Sequence, residues 1–282
     1  MPLIKKVAIL GGTGALGKAL IPALLKAGFE ITCITRPGNN GAVFPGVDFK
    51  TAEHTDTPAL TEALNNHDAV VEAFNPAGAT HQALILKAVL AAGVRHVITP
   101  DFSGNTFHPN VKDIFIFGPK LAAQQELERV VAESDGKLAW TAVVTGPWYD
   151  WAIEKGIFWI DKEKRTVTRY GSGNQKYSMS RHALNGEALV ALISVVRKLG
   201  LTGWEALDVP FDGFEDRARA MWQEDTDKGV EDRLNSKAYP ALATVALLDE
   251  DNRYGSNFGD KVEPGWDEGE EALAENLKRL LA

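Results

Sequence analysis

A glycine-rich segment in this chain is placed directly after an apolar run. Residues 7–17 read VAILGGTGALG, and the helix-forming stretch ALGKALIPALLKAG overlaps its end. A run that is apolar on both faces suits a strand buried in a parallel sheet. Glycines after such a strand let bare backbone approach a pyrophosphate at a helix N-terminus. The order strand, glycine loop, helix therefore favours a dinucleotide site over an ordinary βα turn.

The end of the second apolar run indicates which dinucleotide fits. Residues 29–35 form a β-branched stretch that ends at Arg36, 19 residues beyond Gly17. An NAD-preferring site has an acidic side chain near this place, bonded to the ribose 2′-hydroxyl. Arginine instead binds a 2′-phosphate through paired, charge-assisted hydrogen bonds, so we expect NADP(H). A solvated loop arginine is the alternative, because the following PGNNG adds no second basic residue.

Strand-like and helix-like segments continue to alternate up to about residue 145. We expect strands at 47–52, 69–73, 95–99 and 138–144, helices at 57–65 (capped by Thr57), 80–92 and 120–133, and a loop at 100–119. This pattern predicts an α/β fold, a Rossmann-type doubly wound parallel sheet whose ligand lies across the carboxyl ends of the strands. The residues that those ends supply for cofactor binding are Gly11, Thr13, Gly14, Ala15, Leu16, Gly17, Arg36, Glu53, His54, Phe74, Asn75, Pro76, Lys120, Gly146, Pro147 and Trp148.

Regular alternation stops near residue 150, which predicts two domains. Residues 1–150 would form the NADP-binding domain and residues 151–282 a smaller α+β substrate subdomain, interleaved with the sheet and covering its carboxyl edge. In this second part we expect a hairpin at 158–170, an amphipathic helix at 181–199, a strand at 204–209 and a terminal helix at 267–282.

Composition excludes several classes of function. The chain has 282 residues and a net charge of −8, without a basic stripe that could neutralise nucleic acid. No apolar stretch is long enough for a membrane span, no signal sequence precedes the first strand, and no histidine or cysteine spacing fits a metal site. The single cysteine, Cys33, excludes an internal disulfide and is expected to be a small buried hydrophobe. We expect a cytoplasmic protein with no metal, and a homodimer is compatible with the sequence.

Several motifs together resemble a known family. These are GGTGALGKALIPALLKAGFEITCITR, AAGVRHVITPDFSGN, an isolated Lys120 opening a helix, WTAVVTGPWYDW and VTRYGSGNQKYSMS. Over most of residues 3–200 the chain resembles NmrA-like and isoflavone-reductase-like proteins, which are atypical short-chain dehydrogenases, and most of all their fungal oxidoreductase-like members. The resemblance implies NADP(H), a substrate cleft under the C-terminal subdomain, reduction of aromatic or polyketide-like compounds, and a catalytic role for Lys120. ITPDFSGN and Phe74-Asn75-Pro76 depart from the family pattern.

The chemistry of Lys120 can also be argued from its position. Pro119 suits the first turn of a helix, so Lys120 lies at the positive end of the helix dipole, where the pKa of a lysine falls. Such a lysine can protonate an alkoxide or enolate, or bond the nicotinamide ribose. A solvated surface lysine is the alternative. None of the five tyrosines has a lysine four residues on, so a tyrosine acid of the usual short-chain dehydrogenase kind is not expected.

Residues near the same sheet edge are candidates for substrate contacts: Asp101, Phe102, Trp148, Tyr149 and Trp151. The aromatic ones can stack on nicotinamide or an aromatic substrate, or can equally be hydrophobic core. His54 is expected beside the adenine or in a plain loop. His81 begins a helix near the cleft and His96 is expected to be structural, and neither is expected to be catalytic.

Three functions remain open on the sequence alone. The first is an NADPH-dependent reductase of a small carbonyl compound or enone, with Lys120 as proton donor. The second is a dinucleotide sensor that docks a regulatory protein partner without catalysis. The third is an isomerase that uses the same fold without net redox change. Lys120 and the aromatic residues favour the reductase.

Overall fold

A parallel sheet of six strands organises the first part of the chain. The computed structural model describes residues 4–26, 28–39, 44–179, 205–259 and 269–281. The strands, in chain order, are β1 (Lys6–Leu10), β2 (Glu30–Thr35), β3 (Val47–Thr51), β4 (Ala69–Glu72), β5 (His96–Ile98) and β6 (Ala139–Thr141). Their order in the sheet is β3-β2-β1-β4-β5-β6, and every adjacent pair is parallel. The predicted doubly wound sheet is confirmed.

This strand order locates the ligand crevice. From β1 the chain proceeds outward through β2 and β3, then returns to place β4 on the other side of β1. In open α/β sheets a crevice for ligand forms at such a reversal, outside the carboxyl ends of the strands. Here the reversal lies between β1 and β4, next to the glycine loop that follows β1.

Helices cover both faces of the sheet because consecutive strand residues point to opposite sides. The helices of this part are α1 (Ala15–Lys26), α2 (Thr57–Leu64), α3 (Pro76–Ala79), α4 (Gln82–Ala91) and α5 (Gly118–Glu133). Leu10 and Val70 pack in one apolar cluster with residues of α2, α4 and α5. Ile9 and Val71 pack in the other, with Ile21 of α1.

Several predicted boundaries were wrong. Asp56 caps α2 in place of Thr57, since its carboxylate accepts a 3.0 Å hydrogen bond from the Ala59 amide. The helix expected at 80–92 corresponds to α4, and the short helix α3, which precedes Thr80 and His81, was not predicted. Strand β6 is shorter than the predicted 138–144, and the predicted loop at 100–119 contains two short 3₁₀ helices, Val111–Asp113 and Phe115–Phe117.

Contacts divide the chain into two compact units. The first comprises Met1–Phe102 and Phe117–Val143, and the second comprises Ser103–Ile116 and Val144–Ala282. The sequence placed the domain boundary at residue 150, and that boundary stays a prediction.

The second unit contains a three-stranded sheet and, among its described residues, four α-helices. Strands β7 (Ile160–Asp161) and β8 (Thr166–Tyr170) form the predicted hairpin, and β9 (Glu205–Val209) pairs with β8 in parallel. The helices are α6 (Tyr149–Glu154), α7 (Phe214–Asp227), α8 (Ala238–Leu248) and α9 (Gly269–Leu281). Only α9 was predicted, and the helix expected at 181–199 lies outside the described residues.

The core of the second unit is rich in aromatic side chains. Trp159 stacks on Tyr177 with ring centroids 5.4 Å apart, and both are almost completely buried. Tyr149, Leu248 and Leu277 pack in the same cluster. This cluster joins α6, α8 and α9 to the small sheet.

Candidate functional site

The glycine loop is a tight turn that leads directly into α1. The Gly14 amide donates to the Gly11 carbonyl and the Lys18 amide donates to the Gly14 carbonyl, each at 3.0 Å. Gly11 has φ of +84°, and a Cβ there would lie 2.7 Å from the Ala73 carbonyl oxygen. Gly14 and Ala15 are exposed, and the first turn of α1 has no acidic residue. The loop therefore presents backbone amides that an anion can approach.

A side-chain hydrogen bond joins the glycine loop to the loop after β2. The Asn39 amide nitrogen donates to Thr13 Oγ1 over 3.0 Å. Arg36 is exposed at the end of β2. Asn39 was not among the predicted site residues, although its place in the PGNNG loop was the available signal. Leu16, in the first turn of α1, packs partly buried against the apolar cluster on that side of the sheet.

The ends of β2 and β3 bring a histidine close to Arg36. Thr35 is paired with Thr51, and the Ala52 amide donates to the Thr35 carbonyl over 3.0 Å. Glu53 and His54 follow at once, so they lie at the same sheet edge as Arg36. Burial lowers the pKa of His54, and the nearby His81 and Arg36 lower it further, whereas Glu53 acts in the opposite direction.

Residues after β4 form an aromatic wall beside His54. The Phe74 ring centroid lies 5.3 Å from that of His54, and the His81 ring lies 6.4 Å from it. Asn75 caps α3 by accepting a 3.3 Å hydrogen bond from the Gly78 amide, and Pro76 occupies the first turn. The structure thus brings the three predicted residues Phe74, Asn75 and Pro76 to the edge that carries the glycine loop.

Lys120 lies in the first turn of α5 and is buried. The residue is 9% exposed, and Asp101, just beyond the end of β5, is 4% exposed. The Thr99 hydroxyl donates to Asp101 Oδ2 over 2.7 Å. Burial lowers the pKa of Lys120 to about 8, and the negative charge of Asp101 opposes that shift. The direction is the one expected from the helix dipole, but burial is the principal cause. Lys120 is therefore not a solvated surface lysine.

A buried carboxyl that the sequence analysis missed lies close to this pair. Glu72, the last residue of β4, is fully buried, and burial raises its pKa to about 8 with a further contribution from Asp101. The signal that could have revealed it was a single acid within the apolar stretch AVVEAF. Phe102, next to Asp101, is partly buried against the α1 side of the sheet.

The remaining predicted residues belong to the second unit. Gly146 has φ of +71°, its amide donates to the Ser103 carbonyl over 2.9 Å, and a Cβ there would overlap the Ser178 carbonyl oxygen. Pro147, Trp148 and Trp151 are half-buried. Tyr149 is buried in the core of this unit, so its ring serves packing there.

The described residues contain neither a cluster of metal ligands nor a membrane-spanning helix. No group of three or more histidine, cysteine, aspartate or glutamate side chains within them is arranged to hold a metal ion. None of the described helices is both long enough and apolar enough to cross a membrane.

The glycine loop and the residues around it fall within a recognised sequence family. A family profile described as NAD(P)H-binding matches residues 11–183, which is more than half of the chain. The chain belongs to this NAD(P)H-binding family. The match begins at Gly11 and includes Arg36, Asp101 and Lys120, so it covers the site described above.

Individual proteins extend this result. The oxidoreductase poxI of Penicillium oxalicum is 27% identical over 193 residues, which are 68% of this chain and 61% of that protein. The chain thus matches less than two thirds of that relative's length. A leucoanthocyanidin reductase from Vitis vinifera solved with NADPH has a TM-score of 0.68 at 17% identity, covering 97% of this chain and 99% of that one. An isoflavone reductase has a TM-score of 0.61 at 19% identity, covering 94% and 92%. The predicted resemblance to isoflavone-reductase-like and fungal oxidoreductase-like proteins is confirmed.

Proposed function

We propose that this NAD(P)H-binding protein is an NADPH-dependent reductase of small aromatic or polyketide-like ketones and enones. The observation that carries the proposal is Lys120, a buried amine beside Asp101 at the carboxyl edge of the sheet. A buried lysine costs stability unless its charge is compensated, so such a group at a ligand crevice is a candidate for chemistry. The poxI relative is named an oxidoreductase, and the leucoanthocyanidin reductase was solved with NADPH, which supports the same conclusion.

The described residues fit a dinucleotide along the sheet edge. The exposed start of α1 at Gly14 and Ala15 suits the pyrophosphate, since no acidic side chain opposes an anion in the first turn of that helix. Arg36 at the end of β2 suits the 2′-phosphate. With the adenosine half over β2 and β3, the nicotinamide half extends the other way, over the ends of β4 and β5. Asp101 and Lys120 follow β5 and therefore lie on the nicotinamide side.

Lys120 is suited to move a proton near neutral pH. When bound, NADPH supplies a hydride to the electrophilic carbon of the substrate. The Lys120 ammonium donates a proton to the oxygen of the resulting alkoxide or enolate and regains a proton from water. A pKa of about 8 keeps the amine mostly protonated at pH 7 while making proton release easy. Asp101 favours the ammonium form, because an adjacent negative charge stabilises it.

We propose aromatic side chains as the substrate contacts. Phe102, Trp148 and Trp151 are each only partly buried. Aromatic faces bind flat conjugated substrates by offset or edge-to-face stacking. A homodimer, a cytoplasmic location and the 1–150 and 151–282 domains stay predictions from the sequence.

The test is a screen of aromatic ketones, quinones and enones with NADPH, followed by loss of reduced nicotinamide absorbance. Wild type and Lys120→Ala are compared after calorimetry has shown that both bind NADPH. Turnover by wild type and its loss in the variant support the reductase. Tight NADPH binding without turnover of any compound would contradict it and favour the sensor. Conversion of an enone without NADPH consumption would favour the isomerase.

A further inference from the structure

The adenosine end of the site gathers basic side chains from three different elements. Arg36 follows β2, His54 follows β3 and His81 precedes α4. The pairing of Thr35 with Thr51 places the first two at one sheet edge, and the His54 and His81 rings are 6.4 Å apart. Glu53, which is exposed, is the acidic group that acts on His54 from the same loop. We call Arg36, His54 and His81 the basic cluster.

His54 is held in place by packing rather than by polar bonds. The residue is 8% exposed, and the centroid of its ring lies 5.3 Å from that of Phe74. Within the part of the chain that the structure describes, its ring nitrogens hydrogen-bond no protein group, and they are not sealed from solvent. A fixed imidazole whose nitrogens are unused by the protein is ready to bond a ligand.

We propose that His54, supported by His81 and Arg36, binds the 2′-phosphate of NADP(H) as an imidazolium, so that binding of this dinucleotide takes up a proton and binding of NAD(H) does not. This inference rests on the proposed function, since it assumes that adenosine occupies this edge. It adds a titratable residue to the single arginine on which cofactor choice otherwise depends.

The charges of the cluster explain the coupling. Without ligand, burial and two neighbouring basic groups oppose protonation of His54 and lower its pKa. A phosphate placed among the three basic groups reverses the sign of the local potential, so the imidazolium becomes favourable. Because phosphate binding favours protonation of His54, protonation of His54 favours phosphate binding to the same extent. Affinity for the phosphorylated ligand therefore rises as pH falls through the pKa of His54 in the complex.

The alternative is that His54 only packs beneath the adenine. In that case His54 would not contact the 2′-phosphate, and replacing His54 would change the affinities for NAD(H) and NADP(H) equally. Adenosine 2′,5′-bisphosphate and adenosine 5′-monophosphate separate these possibilities, because they differ by the one phosphate at issue.

The experiment is titration calorimetry of the full chain at pH 7.0 in two buffers of different ionisation enthalpy. At this pH a free phosphate monoester is largely doubly ionised, so its own protons contribute little. We expect proton uptake with the bisphosphate and none with the monophosphate. Between pH 6.5 and 8.5 the affinity ratio of the two ligands should fall by about fivefold or more, since uptake of one proton changes affinity tenfold per pH unit.

Variants decide which residue takes the proton. His54→Gln should abolish the proton uptake and weaken binding of the bisphosphate but not of the monophosphate. Unchanged binding of the monophosphate would show that the site is still folded. His81→Gln should reduce the uptake in part. His96→Gln is the matched control. His96 begins β5 at the amino ends of the strands, whereas the basic cluster lies at their carboxyl ends, and its ring is hydrogen-bonded to Thr141 Oγ1.

The outcomes separate this inference from the proposed function. Equal proton uptake with both ligands, or uptake that persists in His54→Gln, would overturn the role of His54 while leaving the reductase untouched. Failure of wild type to bind NADPH at all would instead refute the proposed function.

Discussion

The Gln82 side-chain amide donates a 2.9 Å hydrogen bond to Glu72 Oε1 in the interior of the first unit. Glu72 is fully buried and Gln82 is 3% exposed. The second carboxyl oxygen, Glu72 Oε2, and the amide oxygen, Gln82 Oε1, are buried without a hydrogen-bond partner among the described residues. One hydrogen bond does not compensate the desolvation of a carboxylate, so the neutral acid is the stable form.

This pair makes stability depend on pH. The pKa of Glu72 rises from 4.5 in the unfolded chain to about 8 in the fold. The folded protein therefore retains a proton that the unfolded chain releases, and its stability falls as pH rises from about 4.5 to about 8. Glu72→Gln removes this loss and should be more stable than wild type at pH 8 by at least about 1 kcal/mol, since one pKa unit corresponds to 1.36 kcal/mol.

Urea unfolding of wild type and Glu72→Gln at pH 5, 7 and 9 measures this effect. The difference between the two should grow with pH. Glu62→Gln, at an exposed position on α2, is the control and should show no such trend. Parallel pH dependences of Glu72→Gln and wild type would mean that Glu72 is ionised in the fold.

Two glycines of the loop should respond differently to substitution. A Cβ on Gly17 would overlap the backbone of Gly12, so Gly17→Ala should destabilise the fold by roughly 1–3 kcal/mol. A Cβ on Gly14 would meet the Gly11 carbonyl oxygen at 3.2 Å, which a small shift relieves. Gly14→Val should therefore fold normally, as judged by circular dichroism, and lose dinucleotide binding because its side chain occupies the approach to the amides. Normal NADPH binding by Gly14→Val would place the site elsewhere.

The parts of the site that the sequence predicted depend on local chemistry. The strand, glycine turn and helix at residues 6–26 are specified by neighbouring residues, and so is Pro119 in the first turn of α5. Parallel pairing then brings strand ends to one edge, which is why the sequence could place Arg36 and His54 at that edge. Cys33 was expected to be a small buried hydrophobe, which is confirmed, and burial raises the pKa of its thiol to about 11.

The parts that the sequence did not predict depend on packing between distant residues. The bond between Glu72 and Gln82 forms because α4 lies over β4, and no local pattern specifies that contact. Tyr149 precedes the half-buried Trp151 by two residues, yet only Tyr149 faces the core. Helix α8 was missed because its sequence, AYPALATVALL, is apolar on all sides and shows no amphipathic period.

Arg36 should determine the preference for NADPH. One charge-assisted contact to the 2′-phosphate predicts that NADPH binds at least about tenfold more tightly than NADH. Arg36→Ala should abolish most of this preference for NADPH. Its affinity for NADH should stay within about twofold of the wild-type value, because NADH lacks the phosphate. Calorimetric titration measures both. Arg129→Ala is the control, since Arg129 is ion-paired with Glu126 and Glu133 on the surface of α5. Equal affinities of wild type for the two cofactors would refute this prediction.

Lys120 should be required for turnover and much less for cofactor binding. Lys120→Ala should lower turnover by about 100-fold or more, because proton donation by a positioned group contributes about that much. NADPH affinity should change by less than about tenfold. Lys120→Arg should not restore activity, since a guanidinium does not release its proton near neutral pH. Lys87→Ala is the control, because Lys87 is exposed on α4.

The pH profile of the wild type provides an independent check on Lys120. Because its pKa is lowered from 10.5 to about 8, the ammonium form is lost as pH rises through about 8. The substrate-limited rate, kcat/KM, should therefore be flat between pH 6 and 7 and fall tenfold per pH unit well above pH 8, as expected for loss of one essential proton. The residual activity of Lys120→Ala should lack this decline. A wild-type rate that stays constant up to pH 10, or a variant with the same decline, would assign the proton to another donor.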